Sequence, residues 1–222
     1  NSEYRVAQRG TSFASASTKE YWADRWHHAT AGLDDAVFTV SRSTDTPSNQ
    51  GIEFSGRLQS TTAESAVGSN DLVYLRYIIE SQDLLHLNYG TSAAESLTLS
   101  FWVYSSSNTG NFLVDFYTSD SNRNQNKIYT INATNTWEYK TITLDGDTGG
   151  SGFNADTGYG LGVHWILLAG TDWGQGSTTN LNTWGTYAAD KFANGFTATS
   201  PFLTTNGVFM IAGPQLEVGT IA

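Results

Sequence analysis

Seven Trp, 11 Tyr and 11 Phe are more aromatic rings than the core of a 222-residue chain requires. Several of them alternate with apolar neighbours in a way that turns them to an opposite face. Trp102 and Tyr104 fall opposite Leu99, Phe101 and Val103; Asp115 and Tyr117 fall opposite Val114 and Phe116; His164 falls opposite Val163 and Trp165. Flat rings beside polar groups suit carbohydrate recognition, because rings stack on the C–H faces of a sugar while carboxylates and imidazoles read its hydroxyls. If the strand of Asp115 lies beside that of Trp102, these faces form one aromatic and polar platform on the outside of a sheet. Trp173, Trp184 and Tyr187, in loops rich in Gly, Ser and Asn, are candidates for a second platform. The competing reading of the same rings is packing under long loops or in subunit contacts.

Other chemistries find less to work with. His27-His28 followed by Asp34-Asp35 brings His and carboxylates together, but adjacent residues of a strand point opposite ways, so the pair reads as a polar loop after Trp26 and no metal ligands are assigned. Asp145-Gly146-Asp147-Thr148-Gly149-Gly150 lacks the third acidic position and closing Glu of a calcium loop and reads as a glycine-rich turn. Asp115, Glu53 and Glu138 lie on expected strands, yet nothing in the sequence pairs two of them as a glycosidase needs. Four scattered His, no Cys and no Gly-x-Ser-x-Gly leave a nucleophilic triad without parts. The run Asp156-Thr157-Gly158-Tyr159-Gly160-Leu161-Gly162 has neither the preceding strand nor the following helix of a nucleotide loop. No catalytic residue and no cofactor are expected, and the chain is not read as an enzyme.

The elements that must position these side chains are strands. Period-2 alternation recurs at residues 37–41, 52–59, 73–79, 97–104, 112–117, 127–132, 137–144, 162–169 and 208–212, with turn residues between. Residues 80–89 and 181–192 read as short helical or irregular insertions. Trp22-Ala23-Asp24-Arg25-Trp26 reads as scaffold, Arg25 stacking on a neighbouring indole. Pro47, Pro201 and Pro214 fall in turns or near a terminal strand, where a missing N–H does least harm. Residues 1–222 are therefore expected to form one all-β domain, an antiparallel two-sheet jelly-roll β-sandwich with short helical insertions.

Composition narrows the partners. With 21 acidic against 11 basic residues the net charge is -10, which argues against nucleic acid held on a basic face. The absence of Cys excludes disulfides, zinc–thiolate sites and iron–sulfur clusters. No apolar run approaches the roughly 18 residues of a membrane span, so no membrane insertion is expected. Residue 1 is Asn, which suggests a processed chain or a piece of a longer polypeptide.

Four segments together resemble a module that recurs in bacteriophage virion proteins, tail fibres and other appendages above all. They are Gln8-Arg9-Gly10-Thr11-Ser12-Phe13, Tyr21-Trp22-Ala23-Asp24-Arg25-Trp26, Leu97-Thr98-Leu99-Ser100-Phe101-Trp102-Val103 and Gln215-Leu216-Glu217-Val218-Gly219, in the family's order and spread over almost the whole chain. The resemblance implies a jelly roll like that of carbohydrate-binding modules, a place on the virion surface, other virion proteins as partners and a homo-oligomeric, trimeric setting. The stretch before Gln8 is shorter and more polar than the family's apolar strand, and the chain stops at Ala222 where family members commonly continue. Related sandwich modules of bacterial enzymes carry a structural calcium on an Asp of the last strand; here Met210-Ile211-Ala212-Gly213-Pro214-Gln215 offers none. Three readings follow in order: a virion appendage that binds host-surface polysaccharide, a capsid decoration or assembly subunit that binds no glycan, and a polysaccharide-active enzyme or its accessory module.

Overall fold

The computed structural model describes residues 3–8, 10–15, 20–196 and 200–220; Arg9 of the first resemblance segment lies outside them. The described residues form thirteen strands, β1 (Ser12–Ser15), β2 (Glu20–Ala23), β3 (Trp26–Ala31), β4 (Val37–Ser43), β5 (Ser55–Thr62), β6 (Leu72–Glu80), β7 (Leu97–Ser105), β8 (Gly110–Thr118), β9 (Arg123–Ile131), β10 (Glu138–Leu144), β11 (Tyr159–Ala169), β12 (Gly185–Thr186) and β13 (Val208–Val218), with short 3-10 helices at Ser81–Leu87, Thr171–Trp173, Ala189–Lys191 and Pro201–Leu203. They form two antiparallel sheets, one of six strands in the order β1-β4-β5-β13-β7-β10, the other of seven in the order β12-β9-β8-β11-β6-β3-β2. This is the expected all-β sandwich. No helix among the described residues is long and apolar enough to cross a membrane.

Alternation explains the core between the sheets. Leu97, Leu99, Phe101 and Val103 of β7 point inward from one sheet and Phe112, Val114 and Phe116 of β8 from the other, all buried. The Trp165 ring of β11 joins the layers, with centroids 5.7 Å from Phe101 and 5.4 Å from Trp26. Trp22 and Trp26 are scaffold, as expected: with Tyr4 they form a buried cluster, the Tyr4 ring lying 5.3 Å from Trp22 and 4.9 Å from Trp26. Arg25 reaches carboxylates, lying 3.3 Å from Glu80 and 3.7 Å from Asp83.

Three local expectations are corrected. His27 and His28 belong to β3 and are buried. They do point opposite ways, His28 edge-on to Phe38 in the core and His27 towards Tyr21 and Arg76 on the outer face. β5 begins at Ser55, three residues after the alternation at Ile52, because Phe54 lies outside the ladder under the Arg42 guanidinium at 4.1 Å. Pro214 sits inside β13, a central strand. Pairing with β5 ends at Ile211, and a bulge at Gly213-Pro214 interrupts the pairing with β7 between Ala212 and Gln215, so no ladder bond needs the missing N–H. Gly213, at φ 55°, supplies the left-handed backbone there.

The passage from β9 in one sheet to β10 in the other is fastened by Glu138. Its carboxylate accepts hydrogen bonds from the backbone N–H groups of Asn132 and Ala133 (2.8 and 2.9 Å), from Asn132 Nδ2 (2.7 Å) and from Lys140 Nζ (2.6 Å). Partial burial opposes the charged form, but the Lys140 ammonium and the three N–H donors outweigh it and hold the carboxyl at about 2, below its ordinary 4.5. A carboxyl lowered by folding adds stability above its unfolded value and loses it as the pH falls through the folded one. Glu138→Gln should therefore lower stability by about 1 kcal/mol at pH 7, after allowing for solvent screening. Urea midpoints of variant and parent should converge as the pH falls from 4.5 towards 2. A gap of constant size across that window would place the effect elsewhere than in the carboxylate's charge.

Candidate functional site

The outer face of the seven-stranded sheet carries a polar rung built by strand register. Asn126 of β9 pairs with Asp115 of β8, Asp115 with His164 of β11, His164 with Arg76 of β6, Arg76 with His27 of β3, and His27 with Tyr21 of β2. Each is out of phase with the inward-facing core residues of its strand, so alternation delivers all of them to one face. The long connection after β11 folds over this face and brings Trp173, Tyr187 and Phe192 onto it.

Asp115 lies at the bottom of the assembly, fully buried. Its Oδ1 accepts from Asn124 Nδ2 and Asn126 Nδ2, both at 2.8 Å, and its Oδ2 lies 2.8 Å from His164 Nδ1. The Tyr159 hydroxyl is 2.9 Å from His164 Nε2. The partners assign the tautomer: Nδ1–H donates to the carboxylate, and Nε2 accepts the Tyr159 O–H. Burial pushes the Asp115 carboxyl well above its ordinary range, against the pull of the two Asn amides. The same burial, with Arg76 and His27 nearby, pushes His164 well below its own, so its imidazole is neutral at pH 7. The asparagines also anchor the covering connection. Asn124 Nδ2 donates to Lys191 O and its Oδ1 accepts from Asn180, while Asn126 Oδ1 accepts the Asn194 N–H at 2.6 Å.

Above this network is a cleft of about 310 Å³ lined by Tyr74, Arg76, Tyr117, Tyr159, His164, Trp173, Tyr187 and Phe192, with Ala29, Thr30, Ala31 and Leu72 at one side. Tyr117 and Tyr187 meet with ring centroids 4.9 Å apart, and Trp173 packs 6.2 Å from Phe192 with its Nε1 donating to Asn70 O. Burial raises the Tyr159 hydroxyl, and burial with the Asp115 charge brings Tyr187 up to about 12, so both stay protonated at neutral pH. Among the described residues no Asp or Glu lines the cleft. Its chemistry is that of aromatic surfaces, hydroxyls and one guanidinium. A larger cavity of about 490 Å³ lies between the sheets, with Trp26, Leu99, Val163, Trp165 and Leu216 as its apolar walls and Arg25, Tyr77, Gln215 and Glu217 as its polar groups. Among the described residues no three His, Asp or Glu side chains converge to hold a metal ion.

Tyr117, His164, Trp173 and Tyr187 thus share one cleft, with Asp115 sealed beneath it. Trp102 and Tyr104 do not join them. β7 and β8 lie in opposite sheets, so the expected common platform does not exist. On the other sheet Trp102 pairs with Tyr139 (5.3 Å) and Tyr104 with Trp137 (5.6 Å). Trp184 also lies apart, edge-on to Tyr89 and donating to Asp145 O, outside the lining. Arg76, Tyr159, Tyr74 and Phe192 belong to the cleft without having been singled out in the sequence, and Asn124 and Asn126 to its support. A signal for Arg76 was a charged residue in the otherwise apolar run of β6; Tyr159 was hidden in the glycine-rich run.

No family model matches the sequence, and no curated protein does. Solved structures do show likenesses. The family 11 carbohydrate-binding module of the cellulosomal cellulase Lic26A-Cel5E of Clostridium thermocellum is 12% identical, with a TM-score of 0.41 over 94% of this chain and 98% of that one. The sandwich is similar to that of carbohydrate-binding modules. The enzymatically active domain of bacteriophage CBA120 tailspike protein 4 is 12% identical, with a TM-score of 0.46 over 88% of this chain; the match takes in only 19% of the tailspike domain. An exo-β-agarase is 9% identical, with a TM-score of 0.47 over 96% of this chain and 26% of its own.

Proposed function

We propose that the chain is a glycan-binding module whose ligand lies in the cleft on the seven-stranded sheet, and that it serves on a phage virion surface as part of a tail fibre, spike or other appendage that contacts host polysaccharide. The observation that carries the binding reading is the convergence of Tyr117, Tyr159, Trp173, Tyr187 and Arg76 on one cleft whose lining, among the described residues, includes no carboxylate. Rings there offer apolar faces to a sugar, and protonated hydroxyls offer donors and acceptors to its hydroxyls. Binding rather than hydrolysis suits this lining, because a glycosidase flanks its bond with two carboxylates and Asp115 is sealed from the cleft. The virion setting and the trimer rest on the four-segment resemblance. Repetition on a particle would turn a weak single site into firm attachment through effective concentration.

Titration calorimetry of the purified protein against host-type surface polysaccharides tests the proposal. Saturable binding is expected, about tenfold weaker in Tyr187→Ala from the loss of one stacking ring, and unchanged in Trp102→Ala. Absence of binding, or loss confined to Trp102→Ala, would reject the cleft. The assembly reading has its own support in the Trp102–Tyr139 and Tyr104–Trp137 pairs, with Tyr139 49% exposed on the opposite sheet. If that surface is a subunit contact, Trp102→Ala should lower the mass measured by light scattering while leaving the cleft's binding intact.

A further inference from the structure

Among the described residues Arg76 is the cleft's one guanidinium, and it has no anionic partner there. It makes no ion pair with any described carboxylate. Its Nε is buried without a hydrogen-bond partner, its Nη2 lies 3.3 Å from His27 Nδ1, and its guanidinium stands 5.4 Å from the centre of the Tyr159 ring. An unpaired cation in a half-buried site is costly to keep, which makes its presence informative. The buried carboxyl of the rung, Asp115, is two strands away and already engaged by Asn124, Asn126 and His164. The positive field of Arg76 is felt across the cleft wall, where it favours ionisation of Tyr74 and Tyr159 and disfavours protonation of His164.

We propose that Arg76 receives the carboxylate of an acidic sugar residue, so that the module selects carboxylated glycans, uronate- or sialate-bearing, over neutral ones. This rests on the glycan-binding reading and gives it a substrate class. A guanidinium matches a carboxylate with paired N–H donors, and rings beside it hold the pyranose that carries the acid. Tyr187, held protonated, has an O–H to donate as the anion enters, and Tyr159, whose own proton is given to His164 Nε2, stays neutral and does not repel it. The chain's net charge of -10 opposes a polyanion at long range. At about 0.15 M salt, however, charges beyond roughly 8 Å are screened while a direct contact is not. An acidic protein can therefore hold an acidic sugar at a single cation, and the affinity should not depend on a basic surface.

The test compares each acidic oligosaccharide with its own carboxyl-reduced form at about 0.15 M salt. An oligouronate and a sialylated oligosaccharide form the two arms, so the arm that binds names the source of the carboxylate. The reduced form should bind at least about tenfold more weakly, the scale of a charge-assisted hydrogen bond. Arg76→Gln should abolish that difference while still binding the reduced form, and Arg76→Lys should keep only part of it. Equal affinity of the acidic and reduced forms for the parent protein, or binding of neutral glycans only, overturns the carboxylate assignment and leaves the glycan-binding reading standing. No binding in any arm or by any neutral glycan overturns both. The comparison on the parent protein decides the matter even if Arg76→Gln does not fold.

Discussion

Asp115→Ala should destabilise the protein by about 3–5 kcal/mol and abolish ligand binding at the cleft, the range expected when one partner of a buried, hydrogen-bonded set is removed. Truncation removes, in a fully buried place, the partner of His164 Nδ1 and of the Asn126 amide and one of the two partners of the Asn124 amide. The damage spreads because the same asparagines hold the covering connection at Asn180, Lys191 and Asn194. That connection brings Trp173, Tyr187 and Phe192 to the cleft. Denaturant unfolding should show the lost stability, and limited proteolysis should show faster cutting between residues 171 and 196 under conditions where the sandwich is still folded. His164→Gln should cost less, since Asp115 would keep both Asn donors. A variant at Asp115 with a parental urea midpoint and parental protection of that connection would mean that the carboxylate does not fasten it.

Why the cleft was half visible in the sequence follows from what alternation can encode. A period of two residues tells which side chains share a face of one strand, and it placed Leu97, Leu99, Phe101 and Val103 inward and Tyr117 outward correctly. It does not tell which sheet the strand joins. The Ser- and Asn-rich link between β7 and β8 suits a hairpin and a crossing between sheets equally well, so Trp102 was expected beside Asp115 when it stands on the other sheet. The rung from Asn126 to Tyr21 is spread over β9, β8, β11, β6, β3 and β2, and such a set exists only once register is known. His27 fell in a segment read as a loop because paired histidines look polar; one flank of Trp26 and the other of Arg76 make it part of a buried sheet. The sealed position of Asp115 was equally hidden. A carboxylate on a strand's outer face ordinarily meets water, and here the loop that covers it arrives from far along the chain.

Gly162→Ala should cost about 1–3 kcal/mol, as overpacking at a tight site does, and weaken ligand binding by more than about tenfold. Gly162 pairs with Tyr117 on one side and Ile78 on the other, at the cleft floor. Its backbone is ordinary for a strand, so the penalty comes from space. A Cβ there would lie 2.8 Å from His164 Nε2 and would overlap the Tyr159 hydroxyl. A bulge at Gly160 turns Tyr159 back along its own strand, where the bare Gly162 lets its ring pass to His164. Alanine forces the hydroxyl off Nε2 and pushes the ring into the space a sugar would use. Gly51→Ala is the control: at φ 70° it carries backbone strain, but its Cβ meets nothing within 4 Å, so stability should fall with binding untouched. A double-mutant cycle with Tyr159→Phe isolates the cause, because removing the hydroxyl should relieve part of the alanine penalty. If the two penalties simply add, Gly162 is not making room for Tyr159, and the cleft floor must be held in place by other contacts.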